Sequence, residues 1–341
     1  MSSNHPISRR RLIKTLFCSS VAMNLNLSAH AAEEKVMTES VLDLLALGDF
    51  GSGTEAQLEV ACSLAHYGGG MKRKADGLFL LGDNFYGPMP GGVKSERWKT
   101  GFSDLYPAKN FPGPCWAVLG NHDYTDTPGN EQAQLNYAAS MDGKTRWTMP
   151  AKYYRIDLPT QNPQVTFLMI DTNFKSINGR LIEEGHLSDS HEFWISEADR
   201  AAQAKWLEDQ LSSPRAPFTI VVGHHPVYSE GSHGDTPELI EQIAPLLEKY
   251  KVHLYLCGHD HDLQHLELEG LKTSFVVSGG GGAGIRKPKD EIRKGSNFYG
   301  VHGFTHLFLA GDRLHVRHID TNQKQVHAFS KGVNHDWQPE V

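Results

Sequence analysis

Apolar residues in this chain gather into short unbroken runs, and five of those runs stop at a glycine followed by Asp, Asn or His. They read Leu44-Leu45-Ala46-Leu47-Gly48-Asp49, Leu78-Phe79-Leu80-Leu81-Gly82-Asp83, Trp116-Ala117-Val118-Leu119-Gly120-Asn121, Thr219-Ile220-Val221-Val222-Gly223-His224 and Val252-His253-Leu254-Tyr255-Leu256-Cys257-Gly258-His259. Runs this short and without alternation predict strands buried on both faces. In open sheets ligands gather beyond the carboxyl ends of such strands, so the five polar residues are expected to meet in space. A glycine before each lets the chain turn sharply and lets several backbones crowd around one small object.

Helical spacing appears between these runs. Thr236-Pro237 predicts an N-cap and a first-turn proline, with Leu239, Ile243, Leu246 and Tyr250 carrying one helix onward. Residues 197 to 211, with Trp206, Leu207 and Leu211, predict a second. Residues 126 to 148 hold Pro, Gly and Asn with little periodicity and predict a long loop. Residues 165 to 170, 273 to 278, 305 to 309 and 314 to 319 predict further strands, the last two joined across Ala310-Gly311-Asp312. The order implies an α/β (α+β sandwich) architecture of two packed mixed β-sheets flanked by helices, with the last third forming the second sheet. The glycines at 279 to 282 and 284 have no Lys-Ser/Thr pair opening a helix behind them, so they predict a tight turn rather than a phosphate loop.

Charge sharpens the picture at one end. The 341 residues carry a net charge of -7, from 33 basic and 40 acidic side chains. Residues 1 to 31 hold Arg9, Arg10, Arg11 and Lys14 and no acid, so the rest has 29 basic against 40 acidic residues, a net of -11. A chain this acidic is a poor general nucleic-acid binder, because phosphate backbones demand clustered Lys and Arg. Ser8-Arg9-Arg10-Arg11-Leu12-Ile13-Lys14 resembles a twin-arginine export signal, and Ala29-His30-Ala31 is a small-residue cleavage site before Ala32. That reading makes residues 1 to 31 a signal peptide, residues 32 to 341 a single domain, and the destination periplasmic or secreted. The apolar stretch before Ala29 is too short and too polar to span a membrane, and Cys18 has no lipoprotein-type neighbour, so no membrane anchor is expected. Without Cys18, the cysteines are Cys62, Cys115 and Cys257, an odd number that predicts buried thiols rather than a disulfide framework.

The residues after the glycines are all of metal-ligand type. One Asp after a strand is a turn former or a helix cap, and repetition of the pattern is what turns such residues into a site. The simplest object for them to hold is a pair of metal ions. A carboxylate bridging two cations holds them about 3.5 to 4 Å apart, as two-metal hydrolases require, and Asp83 is the candidate bridge. Asp49 and Asp83, with Tyr86 three places on, form the first half of the site. In Gly120-Asn121-His122-Asp123, Asn121 suits a divalent ion as a neutral oxygen ligand, His122 can exchange a proton with a leaving group, and Asp123 can orient that histidine. His259 and His261, two apart in Gly258-His259-Asp260-His261, can each reach a different ion. Of His224 and His225 one is a ligand and the other packs, because adjacent side chains diverge. His225, His253 and His265 read as core or surface histidines.

The ordered series Asp49-Phe50-Gly51, Gly82-Asp83-Asn84-Phe85-Tyr86, Gly120-Asn121-His122-Asp123, Gly223-His224-His225-Pro226 and Gly258-His259-Asp260-His261 resembles the five blocks of the purple acid phosphatases, within the calcineurin-like metallophosphoesterases. The wider superfamily has His where Gly51 stands and lacks the tyrosine. The resemblance continues in Gln134-Leu135-Asn136-Tyr137, Arg146-Trp147-Thr148-Met149-Pro150 and Trp206-Leu207-Glu208-Asp209-Gln210-Leu211 and covers roughly residues 41 to 320. It is closest to the small, tartrate-resistant, single-domain form. Two departures are visible: His225 stands where close relatives have an aromatic residue, and the paired cysteines of the mammalian form have no evident equivalents.

The resemblance implies the calcineurin-like fold, with Asp49, Tyr86 and His261 on a ferric ion, Asn121, His224 and His259 on a divalent ion (Fe, Zn or Mn), and Asp83 bridging. It implies that His122 and His233 contact substrate and assist the leaving group, and that a Tyr86 phenolate on iron colours the protein. The expected activity is an exported acid phosphatase that hydrolyses phosphomonoesters, with hydroxide on the metal centre attacking phosphorus in line. Its substrates are expected to be phosphorylated small molecules or phosphoproteins, and the chain is expected to be a monomer. Phosphodiester or phosphoprotein hydrolysis on the same centre, and a redox-active or phosphate-binding iron protein, are the alternatives.

Overall fold

The five glycine-terminated runs form strands buried from end to end in a computed structural model that describes residues 41–178 and 193–340. The export signal and its cleavage site lie outside the described residues. In chain order the strands are β1 (Leu42–Leu47), β2 (Gly77–Leu81), β3 (Cys115–Val118), β4 (Trp147–Thr148), β5 (Tyr154–Leu158), β6 (Val165–Met169), β7 (Phe218–Val222) and β8 (Leu254–Cys257). There follow β9 (Leu263–Leu266), β10 (Ser274–Ser278), β11 (Ser296–Tyr299), β12 (Gly303–Ala310), β13 (Arg313–Asp320), β14 (Gln325–Gly332) and β15 (Trp337–Pro339).

They build two mixed sheets, ordered β15-β14-β13-β12-β1-β2-β3-β4 and β11-β9-β10-β8-β7-β6-β5. β1, β2 and β3 run parallel in the first sheet, and β6, β7 and β8 run parallel in the second. Parallel neighbours share a carboxyl end, so each sheet gathers its glycine-terminated ends at one edge.

The two sheets pack face to face through Phe79 of β2 and Phe167 of β6, whose ring centroids lie 4.6 Å apart. Strand alternation sorts the second sheet's residues: Phe167, Ile220, Val222, Leu254 and Leu256 join the core between the sheets. Leu168, Val221, Tyr255 and Val277 point the other way, toward Leu207, Leu211, Leu239 and Leu247 of the covering helices. Val60, Ala61 and Leu64 of the Glu55–Gly70 helix pack against the first sheet in the same way. Burial on both faces is what removes the alternating pattern from the sequence.

Four expectations need correction. The last third does not form its own sheet: β12 pairs antiparallel with β1, Leu44 opposite Leu307, and extends the first sheet, whereas β10 inserts between β8 and β9 in the second. Parallel β1-β2-β3 leaves β1 with an open side, and the C-terminal strands close it. The stretch from 126 to 148 is not one loop but contains the Asn130–Ser140 helix. Its fully buried positions, Asn130 and Gln134, are polar, which erased the apolar period. The helix expected from 236 to 250 is two short ones, Pro237–Gln242 and Ala244–Lys249. Pro245 lacks the N–H that a continuous helix needs there, and its ring crowds the preceding turn. Cys62 is disulfide-bonded rather than a thiol, while Cys115 and Cys257 are buried free cysteines. Among the described residues no helix is long and apolar enough to cross a membrane.

Candidate metal centre

The turns after the strands hold the candidate donors in backbone conformations that L-residues rarely adopt. Asp49, Asp83 and His259 have φ of 57°, 51° and 70°, in the left-handed region. Such strain persists only where the surroundings over-determine it, and it concentrates at functional sites. Here the backbone is locked by cross-strand bonds: Asp49 N–H to the Gly82 carbonyl (3.0 Å), His259 N–H to Asp49 Oδ2 (2.8 Å) and His122 N–H to Asp83 Oδ1 (2.9 Å). Two of the glycines are required by close approach. A Cβ at Gly120 would sit 2.2 Å from Asp83 Oδ1, and one at Gly258 2.6 Å from Asp49 Oδ2.

Two nests result. In the first, the Tyr86 hydroxyl lies 3.2 Å from both Asp49 Oδ1 and His261 Nε2, and His261 Nε2 is 3.5 Å from Asp49 Oδ1. Ligand atoms of Asp49, Asp83 and His261 all fall within 4.8 Å of one another. In the second, Asn121 Oδ1 lies 3.1 Å from His224 Nε2 and 3.0 Å from His259 Nδ1, and the two nitrogens are 3.2 Å apart. Asp83 Oδ1 is 3.5 Å from His224 Nε2, so this carboxylate belongs to both nests.

The hydrogen bonding of the imidazoles says what the nests want. His224 Nδ1 is 2.8 Å from the Leu81 carbonyl and His261 Nδ1 is 2.8 Å from the Gly284 carbonyl. A carbonyl only accepts, so both Nδ1 atoms carry the proton, and in the neutral form that a metal ligand takes each Nε2 aims its lone pair inward. There they meet other acceptors: Asn121 Oδ1 in one nest, the Asp49 carboxylate in the other. Acceptor crowded on acceptor repels unless a cation lies between, and the mixture of carboxylate, phenol, amide and imidazole suits iron, zinc or manganese. The residues present therefore fit a pair of metal ions. His225 is buried beside this group, with Nδ1 2.9 Å from Thr172 Oγ1 and its ring 4.4 Å from that of His259.

The two histidines expected to meet substrate flank the nests. The His122 ring lies tilted against that of Tyr86, centroids 4.4 Å apart, and its Nδ1 is 2.8 Å from Asp126 Oδ1. Asp126, not the expected Asp123, orients it: a residue four places on shares a helical face, whereas the next residue turns away. Asp123 is buried and accepts from Gly120 N, Asn84 N and Nδ2, Phe85 N and Gln134 Nε2. Burial alone would lower the His122 pKa, but Asp83 and Asp126 outweigh it and hold it up at about 9. Asp83 is held down at about 2, against its burial, by His224 and His122. Tyr86 is pushed well above the usual phenol value by burial and by Asp83 and Asp49. His233 stacks on His259 at 4.2 Å, with Nδ1 2.9 Å from Asp260 Oδ1. Ser229 donates to the same carboxylate.

Sequence reasoning missed several supports. Arg97 donates to the carbonyls of Tyr86 (2.6 Å) and Gly51 (2.9 Å), tying two ligand loops together, and no spacing marks it. Asp126 could have been found from its helical offset to His122. Arg286 donates to His233 and emerged from no motif. His253 and His265 are buried away from the nests, held to the Val333 carbonyl and to Glu267.

A family profile described as calcineurin-like phosphoesterase matches residues 42–263. The chain is 32% identical over 303 residues to tartrate-resistant acid phosphatase type 5 of Sus scrofa, covering 84% of this chain and 85% of that one. It is 30% identical over 325 residues to purple acid phosphatase 7 of Arabidopsis thaliana, covering 93% and 94%. Among solved structures, GAP50, the anchor in the inner membrane complex of Plasmodium, superposes with a TM-score of 0.68 at 23% identity over 85% of this chain and 88% of that one. The purple acid phosphatase PPD1 from yellow lupin gives 0.62 at 17% identity over 86% and 54%. Likeness at these identities shows a shared fold and nothing about activity.

Proposed function

Because this chain belongs to the calcineurin-like phosphoesterase family, and within it to the purple acid phosphatases, we propose that it is an exported acid phosphatase acting on phosphomonoesters. The observation that carries the reading is the pair of acceptor-lined nests sharing Asp83. Asp49, Tyr86 and His261 would hold a ferric ion, Asn121, His224 and His259 a divalent ion, with Asp83 between them. When bound, the ion pair supplies Lewis-acid charge for the phosphate group and makes hydroxide available from water in acid.

The chain's own residues do the rest. His122, its Nδ1 fixed by Asp126, presents Nε2 with a proton for the departing oxygen. His233, its Nδ1 fixed by Asp260 and its Nε2 against Arg286, is held on the His259 ring as a substrate contact. Asn121 and the two neutral imidazoles add no negative charge to their nest, which leaves that side the more receptive to an anionic phosphate. Arg97 and the left-handed turns keep the donors from drifting apart, so little reorganisation is needed when substrate arrives.

Arg9 to Lys14 motivates export by the twin-arginine route, which carries folded proteins and so permits metal loading in the cytoplasm first. The chain is taken to act as a monomer on phosphorylated small molecules or phosphoproteins. Rates on a phosphomonoester, a phosphodiester and a phosphopeptide at acid pH test the proposal. A monoester rate at least tenfold above the diester rate supports it. Preferred diester or phosphopeptide cleavage replaces the substrate class, and phosphate binding without turnover of any ester removes the hydrolase reading.

A further inference from the structure

Arg286 stands beside this site with no carboxylate partner among the described residues. Half-buried, its guanidinium contacts the ring of His233, Nη1 lying 2.9 Å from Nδ1 and also against Nε2. Among the described residues no carboxylate pairs with it. The neighbouring cations of the same segment differ: Arg293 reaches Glu230 at 2.5 Å, Asp235 at 2.8 and 2.9 Å and the Ser229 carbonyl at 3.0 Å, and Lys289 reaches Asp235 at 3.5 Å. A guanidinium has five donors and accepts nothing, so one held against an imidazole leaves most of its fork unmet.

Its position is fixed. The Arg286 N–H lies 3.5 Å from the His261 carbonyl, Gly284 receives the His261 ring at 2.8 Å, and Ala283 N–H bonds the Asp49 carbonyl at 3.0 Å. The residue is thus built onto the same turns that carry Asp49 and His261. Yet its side chain stops one ring short of the donors, because His233 lies between it and His259, on which His233 stacks. An anion seated among the metal ligands is out of the reach of that fork unless the molecule carries a second anionic group.

Resting on the hydrolase reading above, we propose that Arg286 is a specificity-determining residue that binds a second anionic group of the substrate, phosphoryl or carboxylate, next to the scissile phosphate. The planar fork matches two oxygens of either group. In the reaction, the bond from phosphorus to the bridging oxygen breaks with its electron pair on that oxygen, which takes a proton, while water supplies the new P–OH. Arg286 stays on the second anionic group throughout and leaves with neither product.

The test compares p-nitrophenyl phosphate, inorganic pyrophosphate and phosphoglycolate on the metal-loaded wild type, Arg286→Gln and Arg286→Lys. The expected result is a KM for pyrophosphate, phosphoglycolate or both that rises about tenfold more in Arg286→Gln than the KM for p-nitrophenyl phosphate, the size of a lost charge-assisted contact. Arg286→Lys should lie between, and whichever substrate responds identifies the group. Calorimetric binding of methylenediphosphonate against methylphosphonate reads the same preference without turnover. Equal losses on all three substrates, or the same losses in the exposed Lys287→Gln, overturn the proposal. A wild type that turns over none of the three sinks the hydrolase reading instead, and calorimetry still decides the role of Arg286.

Discussion

At the scale of single residues, the account turns on who neighbours whom. His122 titrates high because Asp83 and Asp126 outweigh its burial, and cations on Asp83 would leave Asp126 as the main support. A raised pKa keeps the ring protonated, hence able to donate, at every pH below it. Removing Asp126 lowers that pKa, so Asp126→Asn is expected to move the alkaline limb of the kcat/KM profile toward lower pH, by roughly one unit. A limb that stays in place shows that Asp126 does not set the charge of His122. Five of the seven candidate donors stand out in the sequence because each follows a glycine that ends an apolar run, a pattern chance does not repeat five times. Tyr86 and His261 follow Phe85 and Asp260 and stand out only by their short offsets from Asp83 and His259. Asp260 was not legible, since an orienting residue needs only the right face of a turn, Asp126 was marked only by its helical offset to His122, and Arg97 reaches carbonyls that have no sequence signature.

At the scale of elements, strands buried on both faces announce themselves as unbroken apolar runs, and all five were placed correctly. The Asn130–Ser140 helix did not, because what it buries is a polar network. Gln134 donates to Asp123 at 2.7 Å and accepts from Asn84 Nδ2 at 3.0 Å, bracing the turn that carries Asp83. Truncation would strip two buried groups of a partner each. Gln134→Ala is therefore expected to cost about 1–3 kcal/mol in denaturant unfolding, at unchanged m-value. A loss within error of zero would mean that water or repacking satisfies Asp123 and Asn84 as well. Sheet membership was the harder problem: the open side of β1 is a fact about three strands together, so nothing local to β12 points to it.

At the scale of the whole molecule, the two sheets are joined at the site and again through a cluster of buried histidines. His327 of β14 meets His265 of β9 at 2.8 Å, His265 continues to Glu267 at 3.0 Å, and His318 of β13 reaches the Gln264 carbonyl at 3.0 Å. Burial depresses these rings, His318 to about 3 and His327 to about 4. With folded pKa values below the unfolded one, the unfolded chain binds more protons once pH drops under about 6.5, so stability falls from there down toward 4 and 3. The melting temperature should drop over that window, and His327→Gln should make the drop shallower. An equal slope in both proteins would place the acid sensitivity elsewhere.

The convergence of seven donors from five strand ends on two cations is what the assigned chemistry requires, and counting metal atoms per chain tests it most directly. Elemental analysis of the purified protein should give two metal atoms per chain, at least one of them iron, and fewer than one in Asp83→Ala. A chain that hydrolyses phosphomonoesters at full rate with no bound metal, or an Asp83→Ala variant that keeps both ions, would contradict the account.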